Sequence, residues 1–195
     1  KKLNRSNCLL SKVRHFVNKA TIRSIYFSLF ASHINYCCQI WGQTGNSQLN
    51  KLLSLQRSAL RIINFQQFRS DVSSLYHRLN IPLFSNLVRI ANIMFVYDSF
   101  NNTIPTSISN YFSESSFTHN YFTRGIKYGK LALSLFKTTK YGKNSIKYQC
   151  LLEWNKSIPI INRMFLTKYG HLQNCSLLNL KRTLFKKLVL KTVCV

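Results

Sequence analysis

His33-Ile34-Asn35-Tyr36-Cys37, then Trp41-Gly42, a polar break, and Leu52-Leu53-Ser54-Leu55-Gln56-Arg57-Ser58-Ala59-Leu60-Arg61-Ile62-Ile63 make up the stretch on which the reading of this chain turns. Upstream of it and into it, Ile22, Ile25, Tyr26, Leu29, Phe30, Ile34 and Cys37 recur at spacings of three and four, which gathers them on one face of a helix. Gly42 and Gly45 interrupt that pattern. Ser47 is placed to cap a second helix, on which Leu49, Leu52, Leu53, Leu60 and Ile63 fall on one side. The expectation is a helical hairpin with an aromatic corner. Arg57 and Arg61, four residues apart, are neighbours on its outer surface.

Working outward, Leu9, Leu10, Val13, Phe16 and Val17 suit a short amphipathic helix within 4–17. Beyond the hairpin, 64–70 is polar and reads as a turn, and Asp71 is placed to cap a helix holding Val72, Leu75, Tyr76 and Leu79. Pro82 marks the entry to a helix over 84–100. Its apolar residues form two stripes, Leu87, Val88, Ala91, Met94 and Phe95 with Ile90, Ile93 and Tyr97, so it is expected to be covered on two sides. From 103 to 145 the periodicity weakens. The alternation Leu131, Leu133, Leu135 suggests a strand or hairpin, and a long basic loop that orders on its partner fits equally. Tyr148, Leu151, Leu152 and Trp154 form an anchor that Pro159 is expected to stop, and Ser176 opens a last helix with Leu177, Leu180, Leu184, Leu188 and Val189. The whole reads as a mainly α bundle of about six to eight helices, with one small β-hairpin near 126–148 as an open option. Three parts follow: a helical domain over 1–112, a basic loop or hairpin over 113–147, and a helical segment over 148–195 packing on the first.

The 195 residues are 46% apolar, which places the chain among those able to bury a core. Its charge is the outlier, with 28 Lys and Arg against 4 Asp and Glu, a net +24. The cations gather at both ends and between Arg124 and Lys147. A field of one sign repels itself, so a polyanion or a partner surface is expected against it. A nucleic-acid backbone is the first candidate, and a generally solvated cationic surface or an anionic membrane surface are the others. No apolar run is long enough to span a bilayer. The basic start, Lys1-Lys2, leads into Asn4, Arg5, Ser6 and Asn7 rather than a secretory signal, and without an initial Met the chain is expected to be a piece of something longer. Six cysteines without framework spacing point to a reducing intracellular compartment.

Several chemistries are disfavoured. Two-metal nucleotidyl transfer needs converging carboxylates, and Asp71, Asp98, Glu114 and Glu153 are scattered along the chain. Cys37-Cys38 and His171-x-x-x-Cys175 lack zinc-site spacing, and they read as buried small hydrophobes and a surface histidine. Phosphate-cradling glycine loops and a Gly-x-Ser-x-Gly nucleophile are missing. What remains is basic residues interleaved with rings: Arg124, Lys127, Tyr128, Lys130, Phe136, Lys137, Lys140, Tyr141, Lys143, Lys147 and Tyr148. Trp41 and Trp154 read as core. Arg57 and Arg61 on the hairpin, and Lys181, Arg182, Lys186 and Lys187 crowding the last helix, complete the candidate nucleic-acid-binding set.

The order Ile34-Asn35-Tyr36-Cys37, Trp41-Gly42, then Leu52-x-x-Leu55-Gln56-x-x-Ala59-x-Arg61-Ile62-Ile63 resembles the segment after the polymerase core in reverse transcriptases of jockey-like non-LTR retrotransposons (LINEs). Further pieces agree in order: Leu79-Asn80-Ile81-Pro82, Tyr97 with Asn101-Asn102 and Pro105, 119–124, Trp154-Asn155-Lys156-Ser157-Ile158-Pro159, and 184–188. The resemblance implies a thumb-side and carboxy-terminal part of an RNA-directed DNA polymerase, in which this portion holds template RNA, RNA–DNA hybrid or DNA and positions rather than reacts. The Tyr-x-Asp-Asp signature of the palm does not occur, nor does the Cys/His knuckle that ends some relatives. The chain by itself is therefore expected not to be an enzyme, to need no cofactor or small-molecule substrate (Mg2+ belonging to the palm), and to have the polymerase palm of a parent polypeptide as a partner. The implied setting is a nuclear or cytoplasmic ribonucleoprotein. A degenerate transposon-derived remnant without activity, or a basic scaffold protein, is the alternative.

Overall fold

The computed structural model describes residues 1–112, 130–133, 135–139 and 141–165, with side chains as far as Pro159. The chain is mainly helical. In order come α1 (Lys2–Val13), α2 (Lys19–Ile25), a π-helical turn (Tyr26–Ala31), α3 (Ser32–Asn35), α4 (Cys38–Trp41), α5 (Asn46–Ile63), α6 (Ser73–Arg78), α7 (Phe84–Phe100), α8 (Thr106–Ser109) and α9 (Ile146–Phe165). They fall into two compact units, Lys1–Val88 and a second beginning at Arg89. The division lies inside α7, so it does not coincide with the boundaries at 112 and 147 read from composition.

In the first unit the hairpin forms, with a detail that its periodicity concealed. Ile22, Tyr26, Phe30 and Ile34 are all buried and repeat every four residues. An α-helix turns about 100° per residue, so three such steps would carry Ile34 roughly 120° off the face of Ile22. The π-turn at Tyr26–Ala31 is wound more loosely and keeps the row in line. The same adjustment turns Leu29, expected on that face, toward solvent, and Cys37, also expected there, is exposed because the helix breaks at Tyr36 and Cys37 is left-handed. Asn18 caps α2, its Oδ1 accepting the Thr21 N–H at 2.8 Å.

At the corner, Trp41 stacks on Phe84 with centroids 5.0 Å apart and donates its Nε1–H to the Tyr36 carbonyl at 2.7 Å. Gly42 is needed because a Cβ there would collide with the Cys38 carbonyl and come within 2.6 Å of Val88 Cγ2. α5 then starts after Gly45, not under a Ser47 cap: Ser47 lies in the first turn, and no side chain caps that end. Asp71 does serve α6, its Oδ1 accepting from the Ser73 N–H at 3.2 Å, although Val72 is the capping residue.

The core of this unit joins Leu10 of α1, the row just described, Ala59, Leu60 and Ile63 of α5, Leu75 of α6, Ile81 and Phe84. Each large side chain buried there contributes roughly 1.5–3 kcal/mol. One polar group sits among them. Gln56, fully buried, donates its amide to the Pro82 carbonyl at 2.9 Å and accepts the Phe84 N–H at 3.1 Å, so it fastens the entry of α7 to α5. It also reaches the Tyr26 hydroxyl at 3.4 Å.

The second unit packs the rest of α7 through Ile90, Ile93, Val96 and Tyr97, with Cys150, Leu151, Trp154 and Ile158 buried along α9. Phe95 meets Phe112, and Phe100 meets Trp154. Pro159 does not stop this helix, which runs on to Phe165. Proline removes one backbone bond, at about 3 kcal/mol or more, but here it lies on the exposed face while the opposite face is held by its buried side chains. Tertiary packing outweighs local propensity. Of the suggested strand, the described residues retain a single bridging position, Leu131. Leu131 is buried, Leu133 is 44% exposed and Leu135 fully so. The Leu131 backbone also pairs with a side chain: its N–H donates to Asn155 Oδ1 at 2.9 Å, and Asn155 Nδ2 donates back to its carbonyl at 2.9 Å. The helix expected from Ser176 lies outside the described residues.

Candidate nucleic-acid interface

α5 presents Arg57 and Arg61 one turn apart on its outer face, and the chain that follows folds back toward them. The Arg61 Nε–H donates to the Ser70 carbonyl at 3.0 Å, closing the turn between α5 and α6. Together these elements form a cleft of about 520 Å3 lined by Arg57, Arg61, Arg69, Asp71, Ser73 and Tyr76 among others. Three arginines and one carboxylate thus line it.

The carboxylate is held in its ionised form. The Ser73 backbone N–H and hydroxyl, the latter at 2.9 Å, bond to Asp71 Oδ1 and lower its pKa, with the Arg61 charge assisting. The Tyr76 hydroxyl behaves oppositely. Burial pushes its pKa up to about 12, against the pull of Arg57 and Arg61, so at neutral pH it is a neutral group. That buried oxygen makes no well-formed hydrogen bond among the described residues, although Arg57 lies close enough to favour its ionised form. The cleft therefore offers planar guanidinium forks, hydroxyls and one local counter-charge, a set suited to phosphate oxygens.

Arg57 and Arg61 were legible from their spacing, whereas Arg69 and Tyr76 were not. Arg69 sits in a turn without periodicity, and Tyr76 reads as core on α6. The nearest signal is Arg69-Ser70-Asp71 itself, a basic residue beside turn formers directly before a helix.

Among the described residues, no other anticipated cation lines this cleft. Lys130, Lys137 and Lys143 are exposed in the second unit. Arg124, Lys127, Lys140, Lys181, Arg182, Lys186 and Lys187 lie outside the described residues, as do Tyr128, His171 and Cys175. Of the anticipated stacking rings, Phe136 meets Tyr148 edge-on at 4.9 Å, and Tyr141 is 75% exposed. Lys147 lies over the Tyr111 ring at 5.1 Å. Trp154 is buried in the second unit, and Trp41 is half-buried against the core of the first. Cys38 is buried and Cys37 is not.

No family model, curated protein or solved structure matches this chain. Among the described residues, no helix is long and apolar enough to cross a membrane.

Proposed function

We propose that this chain is a nucleic-acid-binding part of a retrotransposon-type RNA-directed DNA polymerase, holding template RNA or an RNA–DNA hybrid by its backbone while the chemistry belongs to a palm elsewhere in the parent polypeptide. The observation that supports this most directly is the cleft in which Arg57, Arg61 and Arg69 outnumber Asp71, on a chain carrying +24. Arginines facing a concavity without matching carboxylates repel one another until an anion enters. A phosphate backbone supplies that anion repeatedly and gives affinity without base specificity. The succession of motifs from Ile34 to Ile63 supports the same assignment.

The test is fluorescence anisotropy of the purified chain with single-stranded RNA, RNA–DNA hybrid and duplex DNA across a salt series. A steep salt slope with preference for RNA or hybrid is expected, and each cleft arginine replaced by alanine should lower that slope by about one. Weak and equal binding to all three, unchanged in the arginine variants, would overturn the proposal and favour a remnant with a merely cationic surface.

A further inference from the structure

The cleft accounts for charge, but nothing in it accounts for phenylalanines left in water. Phe68 is 82% exposed, Phe65 is 53% exposed, and Phe16, next to His15, is 88% exposed. Phe65 follows the end of α5 with φ 54, a left-handed conformation that glycine adopts freely and a phenylalanine does not. Its ring is nevertheless held in place. The Arg14 guanidinium lies over it, 4.8 Å from the centroid, and His15 meets its edge at 5.4 Å. The turn that carries both rings is pinned throughout: the Gln66 N–H donates to the Arg61 carbonyl at 3.0 Å, the Ser70 hydroxyl donates to Gln66 Oε1 at 3.1 Å, and Arg78 donates to Asn64 Oδ1. It is the same turn that delivers Arg69 to the cleft. A hydrogen-bonded turn thus leaves two rings largely in water next to a cationic cleft, and the Arg14 and His15 contacts account for only one face and one edge of Phe65.

We propose that Phe65 and Phe68 form a stacking platform for unpaired bases of a single-stranded nucleic acid whose phosphates occupy the neighbouring arginine cleft. The inference rests on the nucleic-acid-binding reading above and adds to it a choice of strand state. Bases within a duplex are stacked on each other and closed to such rings, whereas unpaired bases stack on aromatic side chains whatever their sequence. The arginines adjoining the rings favour this polyanion. A membrane surface would accept the same residue types, so it is an arm of the test.

The full chain is compared with Phe65→Gly, Phe65→Trp and Phe68→Ala, using labelled oligouridine, an RNA–DNA hybrid of equal length, and phosphatidylserine vesicles. Glycine suits the backbone at 65, so the Phe65→Gly unfolding midpoint should be held or raised, which separates loss of the ring from loss of fold. Oligouridine affinity should fall roughly five- to a hundredfold in Phe65→Gly and Phe68→Ala, with hybrid affinity and the salt slope unchanged and Phe65→Trp close to the parent chain. Oligouridine binding unchanged in both ring-removing variants, equal losses for oligouridine and hybrid, or a loss confined to vesicles would each overturn the platform. If Arg57→Ala weakens RNA binding while the phenylalanine variants do not, the platform alone fails. If the parent chain binds no RNA, the reading beneath it fails as well.

Discussion

The two compact units treat positive charge in opposite ways. In the second, Arg89 and Lys156 converge on Glu153, with Arg89 Nε 2.8 Å and Lys156 Nζ 2.9 Å from its carboxylate oxygens. Burial would raise that carboxyl's pKa, but the hydrogen bonds and charges of Lys156 and Arg89 more than offset it, and the net shift is downward. In the first unit, Arg57, Arg61 and Arg69 line an open cleft with Asp71 alone. One group of cations has its counter-ion inside the fold, and the other leaves room for one from outside. Net charge, identical in kind for both, does not distinguish a structural ion pair from a binding site. The ratio of cations to carboxylates around a concavity does.

Replacing Glu153 should sharpen this contrast most. Glu153→Ala leaves Arg89 and Lys156 without their partner and is expected to destabilise the chain by about 1–2 kcal/mol, a figure reduced because both cations are partly exposed to water. Chemical denaturation reads this loss, and RNA affinity at saturating folded fraction should not change. If RNA affinity rose severalfold instead, the freed Arg89 and Lys156 would count as a second binding surface and the contrast would dissolve.

The complementary experiment is Arg57→Ala with Arg69→Ala, both exposed side chains. RNA affinity should fall about tenfold or more at low salt, roughly 1.4 kcal/mol, with a change in unfolding free energy no larger than about 0.5 kcal/mol. A large stability loss with unchanged affinity would make these arginines structural, like Arg89.

Acid should affect the two carboxylates in the same direction. A carboxyl whose folded pKa is depressed contributes stability that is present above its unfolded pKa, near 4.3 for Glu, and lost as pH falls through its folded value. The Glu153 contribution should therefore fade below about pH 4, and the acid limb of a stability-against-pH curve should flatten in Glu153→Gln. An unaltered curve would mean the carboxylate contributes nothing through its charge.

The smallest effect is expected from Tyr76→Phe. The hydroxyl is buried and makes no well-formed hydrogen bond, so its removal should change stability by less than about 0.5 kcal/mol. A marked loss of RNA affinity in this variant would show that a phosphate reaches it, which sharpens the description of the cleft.

How far the fold could be read in advance varied with how local its cause is. α5 and α7 were legible nearly to their ends because contacts at three and four residues leave a period in the sequence. Gly42 was legible as a break, but its reason, the approach of Val88, was not. The row Ile22, Tyr26, Phe30, Ile34 was visible, whereas the π-turn that aligns it was not distinguished from ordinary helical scatter. Leu131, Leu133 and Leu135 left strand and loop open, and among the described residues only Leu131 keeps a bridge, its backbone also held by the Asn155 amide. Pro159 misled, a local penalty being smaller than the packing of Leu151, Trp154 and Ile158.

By itself, then, the sequence determined the helical class, the apolar faces of α5 and α7, and an excess of positive charge, since each depends on composition or on neighbours within a turn or two. Only the tertiary structure decided that Gln56 fastens α7 to α5, that Glu153 takes up two cations, and that Arg69 and Tyr76 join Arg57 and Arg61 in one cleft. Those groupings depend on where a turn returns the chain and on which carboxylate is within reach, distances that no spacing along the chain records.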